Sequence, residues 1–123
     1  MDFDDKAPVA ALRSSLQRVQ DDLSLPELVA LLTIASEPGL SVNELSERIS
    51  APQQSTSRFV AILLQRYVTP VQSGDLRPFI VQQVKQDDPR SRALYLAERG
   101  QDVVNDILRA ASRDLKESRH VGG

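Results

Sequence analysis

The sequence has no cysteine, no tryptophan and only five aromatic residues, which are three phenylalanines and two tyrosines. The absence of cysteine excludes a disulfide framework, a thiolate nucleophile, a cysteine-ligated zinc site and a thiol redox sensor. Long hydrophobic runs are missing too, because the apolar stretches span only a few residues and a bilayer span needs about 20. The first residues, MDFDDKAP, are acidic where a signal peptide would be basic. We therefore expect a cytoplasmic protein with no membrane partner.

Histidine is also scarce, since His120 is the only one and lies among the last four residues. A catalytic or metal-binding histidine needs partners held rigidly around it, and the sequence offers none near His120. Carboxylates are numerous, but none combines with a nucleophile, a glycine-rich phosphate loop or a metal-ligand spacing. We therefore expect no catalytic residue, no metal site and no cofactor, and we predict that the protein is not an enzyme.

The composition is that of a folded domain. Hydrophobic residues make up 41% and charged residues 26% of the 123 positions, which supplies a core without the charge excess of a disordered chain. This length is close to the usual size of one domain, so we predict a single domain of residues 1–123.

The net charge of -2 conceals an asymmetry along the chain. Residues 1–47 carry three basic and nine acidic side chains, residues 48–99 carry eight basic and four acidic ones, and residues 100–123 carry four of each. Only the middle segment therefore has the electrostatic footprint of a phosphate-binding surface. A solvated surface of mixed charge would give the same counts. The eight basic residues are Arg48, Arg58, Arg66, Arg77, Lys85, Arg90, Arg92 and Arg99.

Capping signals and apolar spacing predict five helices. Ser24 and Ser41 each precede a glutamate by three residues, Glu27 and Glu44, which is the capping box that opens a helix. The predicted helices cover residues of about 6–23, 25–36, 42–49, 52–66 and 98–116, and we expect a frayed tail over 117–123.

The first helix carries a narrow apolar stripe, because five residues recur at spacings of three and four. Such a stripe is typical of a two-helix seam. It can pack on the chain's own domain or on a second subunit, and both interpretations stay open. The five residues are Val9, Leu12, Leu16, Val19 and Leu23.

The third and fourth helices match a helix-turn-helix unit, since they are short and are separated only by the break Ser50-Ala51-Pro52. At 100° per residue, the fourth helix has one largely apolar face and one small, polar face. The first face holds Thr56, Phe59, Val60, Leu63 and Tyr67, and the second holds Gln54, Arg58, Ala61 and Gln65.

Residues of about 68–96 are rich in β-branched side chains and turn signals, which predicts a β-hairpin wing. Pro78 indicates that its strand either begins there or lies at an edge. The predicted fold is α+β and mainly helical, a winged helix-turn-helix with a β-hairpin wing and N- and C-terminal helices.

Three strings in this arrangement resemble the MarR family of bacterial transcription regulators. Residues 38–49 (PGLSVNELSERI) are similar to the helix before the family's recognition helix, and residues 55–60 (STSRFV) resemble the start of that recognition helix. Residues 87–100 (DDPRSRALYLAERG) resemble the wing and the helix after it, and this string is the most specific of the three. The resemblance covers about residues 25–110.

The resemblance implies a set of DNA-binding residues. In the recognition helix the groove-facing residues would be Gln53, Gln54, Ser55, Ser57 and Arg58, and the wing contacts would be Arg90 and Arg92. The same analogy gives Asp88 the role of orienting an arginine at the wing tip.

The sequence departs from the family pattern at four places. Tyr67 stands where the family usually has a glycine, and about ten residues, Thr69 to Pro78, are inserted before the wing hairpin. Ala97 replaces the usual threonine cap of the last helix, and one C-terminal helix is predicted where the family commonly has two. We expect the exit from the recognition helix and the dimer contacts to differ from the family's.

The helix-turn-helix, the basic middle segment and the wing together predict a sequence-specific double-stranded DNA-binding transcription regulator, a repressor that acts as a homodimer. The alternatives are a winged-helix protein-interaction module that does not recognise DNA, and a protein that binds a replication or recombination site of a plasmid or phage. The family implies a small aromatic effector, but no pocket pattern is present, so no effector is predicted. The expected dimer seam consists of Val9, Leu12, Leu16, Val19, Leu108, Ala111 and Leu115.

Overall fold

The computed structural model describes residues 6–66 and 75–121, with side chains described as far as residue 112. Five helices and one two-stranded sheet follow one another along this part of the chain. In chain order they are α1 (Lys6–Val19), α2 (Leu25–Ser36), α3 (Val42–Ile49), α4 (Gln53–Leu63), β1 (Ile80–Val84), β2 (Arg92–Leu96) and α5 (Glu98–Val121).

Helices α2 and α3 begin and end where the sequence predicted, because both capping boxes form. The backbone N–H of Ser24 donates to Glu27 Oε1 at 2.9 Å, and that of Ser41 donates to Glu44 Oε1 at 3.0 Å. Each serine hydroxyl accepts from the backbone N–H of its glutamate in return. These reciprocal bonds satisfy amides that the first helical turn leaves without an intrahelical partner.

The bounds of the other helices differ from the prediction. Helix α1 stops at Val19 instead of residue 23, and a turn then brings Leu23 into the core. Helix α4 is shorter at both ends, and Gln65 beyond it has a φ of 60°, which a continuing helix does not allow. Helix α5 continues to Val121, into the segment 117–123 that was expected to be a frayed tail.

The wing is an antiparallel hairpin in which Ile80 pairs with Leu96 and Val84 with Arg92. A single bridge between Leu40 and Leu94 joins β2 to the segment before α3. Pro78 lies just ahead of β1, as predicted for a proline that starts a strand. The predicted hairpin residues 68–74, together with Tyr67 and most of the expected insertion, lie outside the described residues.

The hydrophobic core lies between the helices and the inner side of the hairpin. Helix α5 reaches the hairpin closely at Gly100, where a Cβ would lie only 2.1 Å from the carbonyl oxygen of Phe79. Glycine is therefore required at this contact. The largest fully buried apolar side chains are Phe79, Leu31, Ile34, Leu45, Leu63, Ile80 and Leu94.

Helix α1 packs against α5 through polar contacts as well as apolar ones. The buried hydroxyl of Ser15 donates to Asp106 at 2.7 Å, and Arg18 donates to the same carboxylate at 2.8 Å. These bonds, from Arg18 first and then Ser15, lower the pKa of Asp106. The terminal helices therefore pack on each other within one chain.

The predicted fold class is confirmed: the elements form an α+β winged helix-turn-helix with helices at both ends. Within residues 6–66 and 75–121, no helix has the length and apolarity needed to cross a membrane.

Candidate nucleic-acid interface

The turn between α3 and α4 is held by its own backbone. Ser50 ends α3 in the left-handed conformation, with a φ of 54°, and Ala51 donates its N–H back to the carbonyl of Ser46 at 3.2 Å. The hydroxyl of Ser46 donates to the carbonyl of Ala51 at 2.6 Å. Because Pro52 follows at once and fixes its own φ, the two helices of the unit are joined at a defined angle.

Helix α4 presents one polar face to solvent. Gln54, Ser57 and Arg58 are exposed and Ser55 is partly exposed, whereas Thr56, Val60 and Leu63 are buried. The assignment of Ala61 to the outward face is wrong, since Ala61 is buried and the exposed face is narrower than 100° spacing indicated. The exposed face matches the positions that the family resemblance implies for groove contact.

Gln53, the first residue of α4, is exposed and also has a partner inside the protein. Its side-chain amide donates to the side-chain oxygen of Asn43 in the first turn of α3. This bond restrains the Gln53 amide through its N–H group, and the amide oxygen is an acceptor that the bond does not use. The sequence interpretation did not include Asn43, because nothing in the spacing of residues 43 and 53 indicates the contact.

The tip of the wing is a β-turn of Asp88-Pro89-Arg90-Ser91, closed by the Ser91 N–H donating to the Asp88 carbonyl at 3.0 Å. The Asp88 carboxylate accepts from the backbone N–H of Arg90 at 3.1 Å. This bond orders the tip through the main chain of Arg90, and it leaves the Arg90 guanidinium exposed. Arg92, at the start of β2, is exposed as well.

The tip end of the wing is tied to α3 by an ion pair. Lys85 Nζ lies 3.3 Å from Glu44 Oε1, the same oxygen that accepts from the Ser41 backbone in the capping box. The bonds to Ser41 and then the ammonium of Lys85 lower the pKa of Glu44. The first turn of α3 therefore contacts the recognition helix through Asn43 and the wing through Glu44.

The eight basic residues of the middle segment divide into two groups. Four form ion pairs inside the chain: Arg48 with Glu37, Arg77 with Asp75, Lys85 with Glu44, and Arg99 with Asp22 and Asp75. The other four form no ion pair with any residue that the structure describes, and all four are exposed. They are Arg58 on α4, Arg66 just after it, and Arg90 and Arg92 on the wing. In the described part of the chain, neither Asp87 nor Asp88 forms an ion pair with the wing arginines.

Arg99 is a buried structural residue, although the charge count placed it in the phosphate-binding segment. Its side chain is 6% exposed and stacks at 4.0 Å over the ring of Phe79. It donates to the Arg77 carbonyl at 2.8 Å and pairs with Asp22 and Asp75. The guanidinium of Arg77 is the first cause that lowers the pKa of Asp75, to about 2. This cluster joins the end of α1, the segment before the wing and the start of α5.

One of the residues expected in a dimer seam is buried, and the others that the structure describes are exposed or partly exposed. Val19 is buried in the chain's own core, because α1 turns toward α2 at that point, so it is not available to a partner. Val9 and Leu16 are exposed and line a groove between α1 and the start of α2, with Leu12 beside them. Leu108 and Ala111 are exposed on α5, and the side chain of Leu115 is outside the described part.

Several solved structures of bacterial proteins share this arrangement. The transcriptional regulator Tm0710 from Thermotoga maritima matches with a TM-score of 0.69 at 14% identity, over 94% of this chain and 72% of that one. MepR from S. aureus, solved in complex with DNA, matches with a TM-score of 0.68 at 14% identity, over 93% of this chain and 86% of that one. A mutant of MarR from E. coli matches with a TM-score of 0.63 at 14% identity, over 90% of this chain and 72% of that one. No family model matches the sequence, and neither does any curated protein. The likeness shows the fold, which is that of the MarR-type winged-helix regulators, as the three strings predicted.

Proposed function

We propose that this chain, which has the fold of the MarR-type regulators, is a sequence-specific double-stranded DNA-binding transcription regulator. The observation that carries the proposal is the division of the basic residues. Among the eight basic residues of residues 48–99, the four without an ion pair to any described residue lie on the recognition helix, just after it and on the wing. The other four are paired with carboxylates. Unpaired guanidinium groups are the side chains that DNA phosphates and base edges bind.

The geometry gives the two elements different tasks. The exposed face of α4 has the width and polarity of a helix that enters a major groove, and Arg58 at its middle can bind guanine O6 and N7 with both arms. Gln54 and Ser57 flank it with short polar groups that bind bases or phosphates. Arg90 and Arg92 extend from the wing, where phosphates or a minor groove are in reach. The solved neighbours support DNA as the partner, since MepR has this fold in a complex with DNA and Tm0710 is a transcriptional regulator.

The test is selection of binding sites from a pool of random-sequence duplexes, followed by titration of the recovered duplex and of a shuffled duplex at low salt. We expect an enriched sequence that the protein binds at least tenfold more tightly than the shuffled one. Recovery of no preferred sequence would contradict sequence-specific binding. No measurable affinity for any duplex would favour the interpretation as a protein-interaction module.

The two arginine groups have distinguishable effects. Arg58→Ala should cost about 1 to 3 kcal/mol of binding free energy and relax the preference at one position of the recovered sequence. Arg90→Ala or Arg92→Ala should weaken binding to every duplex and lower the slope of log affinity against log salt by about one unit each. Arg77→Ala, which removes an exposed arginine that is already paired with Asp75, is the matched control and should change neither quantity by much. The assignment is wrong if Arg58→Ala lowers both affinities equally and a wing substitution alone changes the base preference.

We further propose that the regulator is a homodimer and a repressor. The apolar groove of α1 and the exposed Leu108 of α5 are surfaces that a second copy would bury. A two-fold dimer would set two recognition helices in successive major grooves, so the recovered sequence should be an inverted repeat with half-site centres about 10 bp apart or a multiple. A dimer bound in this way covers its DNA, which excludes polymerase from an overlapping promoter.

The dimer is tested with Leu16→Asp, which places a charge in the groove. We expect sedimentation velocity at micromolar concentration to show a dimer for the wild type and a monomer for Leu16→Asp. Leu76→Asp is the control, because Leu76 is even more exposed than Leu16, at 57% against 38%, but lies outside the groove. A monomeric wild type, or a single asymmetric half-site in the footprint, would contradict the homodimer.

A further inference from the structure

The first turn of α3 holds contacts to both elements of the proposed DNA interface. Asn43 accepts from the amide of Gln53 at the start of the recognition helix, and Glu44, the next residue, pairs with Lys85 where β1 enters the tip of the wing. Two neighbouring residues of a short helix therefore connect α4 on one side and the hairpin on the other.

Other contacts hold the hairpin to the helices nearer its base: Phe79 donates its N–H to the Leu63 carbonyl and Gly39 donates its N–H to the Leu94 carbonyl, both at 2.8 Å. The Leu40–Leu94 bridge anchors the middle of β2, but it lies two residues from Arg92 and does not reach the far end of β1. Lys85 is the residue directly after β1, and its N–H donates to the Ser91 carbonyl at 3.1 Å, so it lies where the hairpin continues into its tip. The ion pair with Glu44 is thus the contact closest to the wing arginines.

The charge of Lys85 is not free for a phosphate, because the Glu44 carboxylate accepts from it and the lysine is 27% exposed. We propose that the Glu44–Lys85 pair is a positioning element, which fixes the orientation of the wing against the recognition helix so that both can contact one duplex at once. This inference rests on the proposed DNA-binding function, but its geometric part concerns the protein without DNA.

Glu44→Gln isolates the pair, since glutamine keeps the acceptor that the capping box needs and removes only the negative charge. If Lys85 is a positioning residue, Glu44→Gln should weaken binding to the selected duplex by up to about fivefold, the limit for a part-exposed ion pair. If Lys85 is instead a phosphate contact restrained by Glu44, freeing it should strengthen binding. The two interpretations therefore predict opposite signs for one substitution.

The matched control is Glu47→Gln, which removes the same charge from the same helix at a strongly exposed position. It should leave affinity equal or slightly higher, because a negative charge is removed near DNA. Lys85→Arg should restore most of the affinity that Lys85→Gln loses, and Lys85→Gln combined with Glu44→Gln should be no worse than either alone. Stronger binding by Glu44→Gln, or equal effects of Glu44→Gln and Glu47→Gln, would overturn the inference.

A measurement without DNA separates this inference from the proposed function. The chain has no cysteine, so cysteines introduced at Gln54 and Gln86 carry the only two spin labels. Double electron–electron resonance then measures the distribution of distances between the two labels. We expect a narrow distance distribution in the wild-type background and a broadened one with Glu44→Gln or Lys85→Gln. An unchanged distribution would refute the positioning role while leaving DNA binding intact. Failure of every duplex to bind would refute the function while the distance measurement still reports on the pair.

Discussion

Replacing Arg99 by alanine tests the buried cluster that joins α1, the wing segment and α5. The substitution removes the stacking on Phe79, the bond to the Arg77 carbonyl and the ion pairs with Asp22 and Asp75. Because the side chain is 6% exposed, water replaces these contacts only after the cluster opens.

The expected loss follows from the separate contacts. A desolvated cation–π contact is worth about 2 kcal/mol, and a hydrogen bond from a charged donor about 1.5 to 3 kcal/mol. The ion pairs add less, under about 1 kcal/mol each, since the carboxylates of Asp22 and Asp75 retain contact with solvent. All four contacts share one guanidinium and are not additive. We therefore expect Arg99→Ala to cost about 3 to 5 kcal/mol of unfolding free energy, the range for breaking a buried pair.

Arg77→Ala is the matched control, because Arg77 also pairs with Asp75 but its side chain is 54% exposed. It should cost less than about 1 kcal/mol. Arg99→Lys keeps the charge but not the planar guanidinium group, so its loss of unfolding free energy should lie between those of Arg99→Ala and Arg77→Ala. The measurement is urea unfolding followed by far-UV circular dichroism at one protein concentration. Equal losses for Arg99→Ala and Arg77→Ala, or a loss under 1 kcal/mol for Arg99→Ala (roughly the value of a surface pair), would refute the reasoning.

Two further predictions concern stability. Gly100→Ala should cost about 2 to 3 kcal/mol in the same unfolding assay, because its Cβ meets the Phe79 carbonyl at 2.1 Å, and no measurable loss would show that the contact relaxes freely. The pKa of Asp75 is lowered to about 2 by Arg77, so its ionised form stabilises the fold above about pH 4 and this contribution disappears as the pH falls toward 2. The difference in unfolding free energy between the wild type and Asp75→Asn should therefore shrink between pH 5 and pH 2, and a difference independent of pH would contradict this assignment.

The sequence predicted local structure best where a short signal determines it alone. Capping boxes at Ser24 and Ser41 need only residues three apart, so the bounds of α2 and α3 were predicted correctly. The end of α1 was not, because a tertiary contact decides it: Leu23 enters the core after a turn and so continues the apolar periodicity beyond the helix. Periodicity alone does not distinguish a helical residue from the next buried residue of a turn.

The sequence was sufficient to predict which residues of α4 are exposed, but not which hydrogen-bond partners the residues of the candidate interface have. Exposure of Gln54, Ser57 and Arg58 follows from their place opposite the buried Thr56, Val60 and Leu63, which helical geometry imposes. The bonds that Gln53 donates to Asn43 and Lys85 donates to Glu44 join residues 10 and 41 positions apart, and no local pattern indicates either contact. The same limit applies to Val19, which shares the apolar stripe of α1 with Leu16 but is buried where Leu16 is exposed.

Charge counting could not separate the paired from the unpaired basic residues of residues 48–99. A count treats Arg99 and Arg58 alike, although one is buried among two carboxylates and an aromatic ring while the other is exposed with no ion pair to any described residue. Exposed arginines without an internal ion pair can bind DNA phosphates and so release the counterions of the DNA. A paired guanidinium would first have to break its internal contact. The effective charge of the proposed interface is therefore that of Arg58, Arg66, Arg90 and Arg92. The salt dependence of binding should accordingly reflect about four phosphate-competent groups per chain, and a slope that needs all eight basic residues would mean that the internal pairs open on DNA.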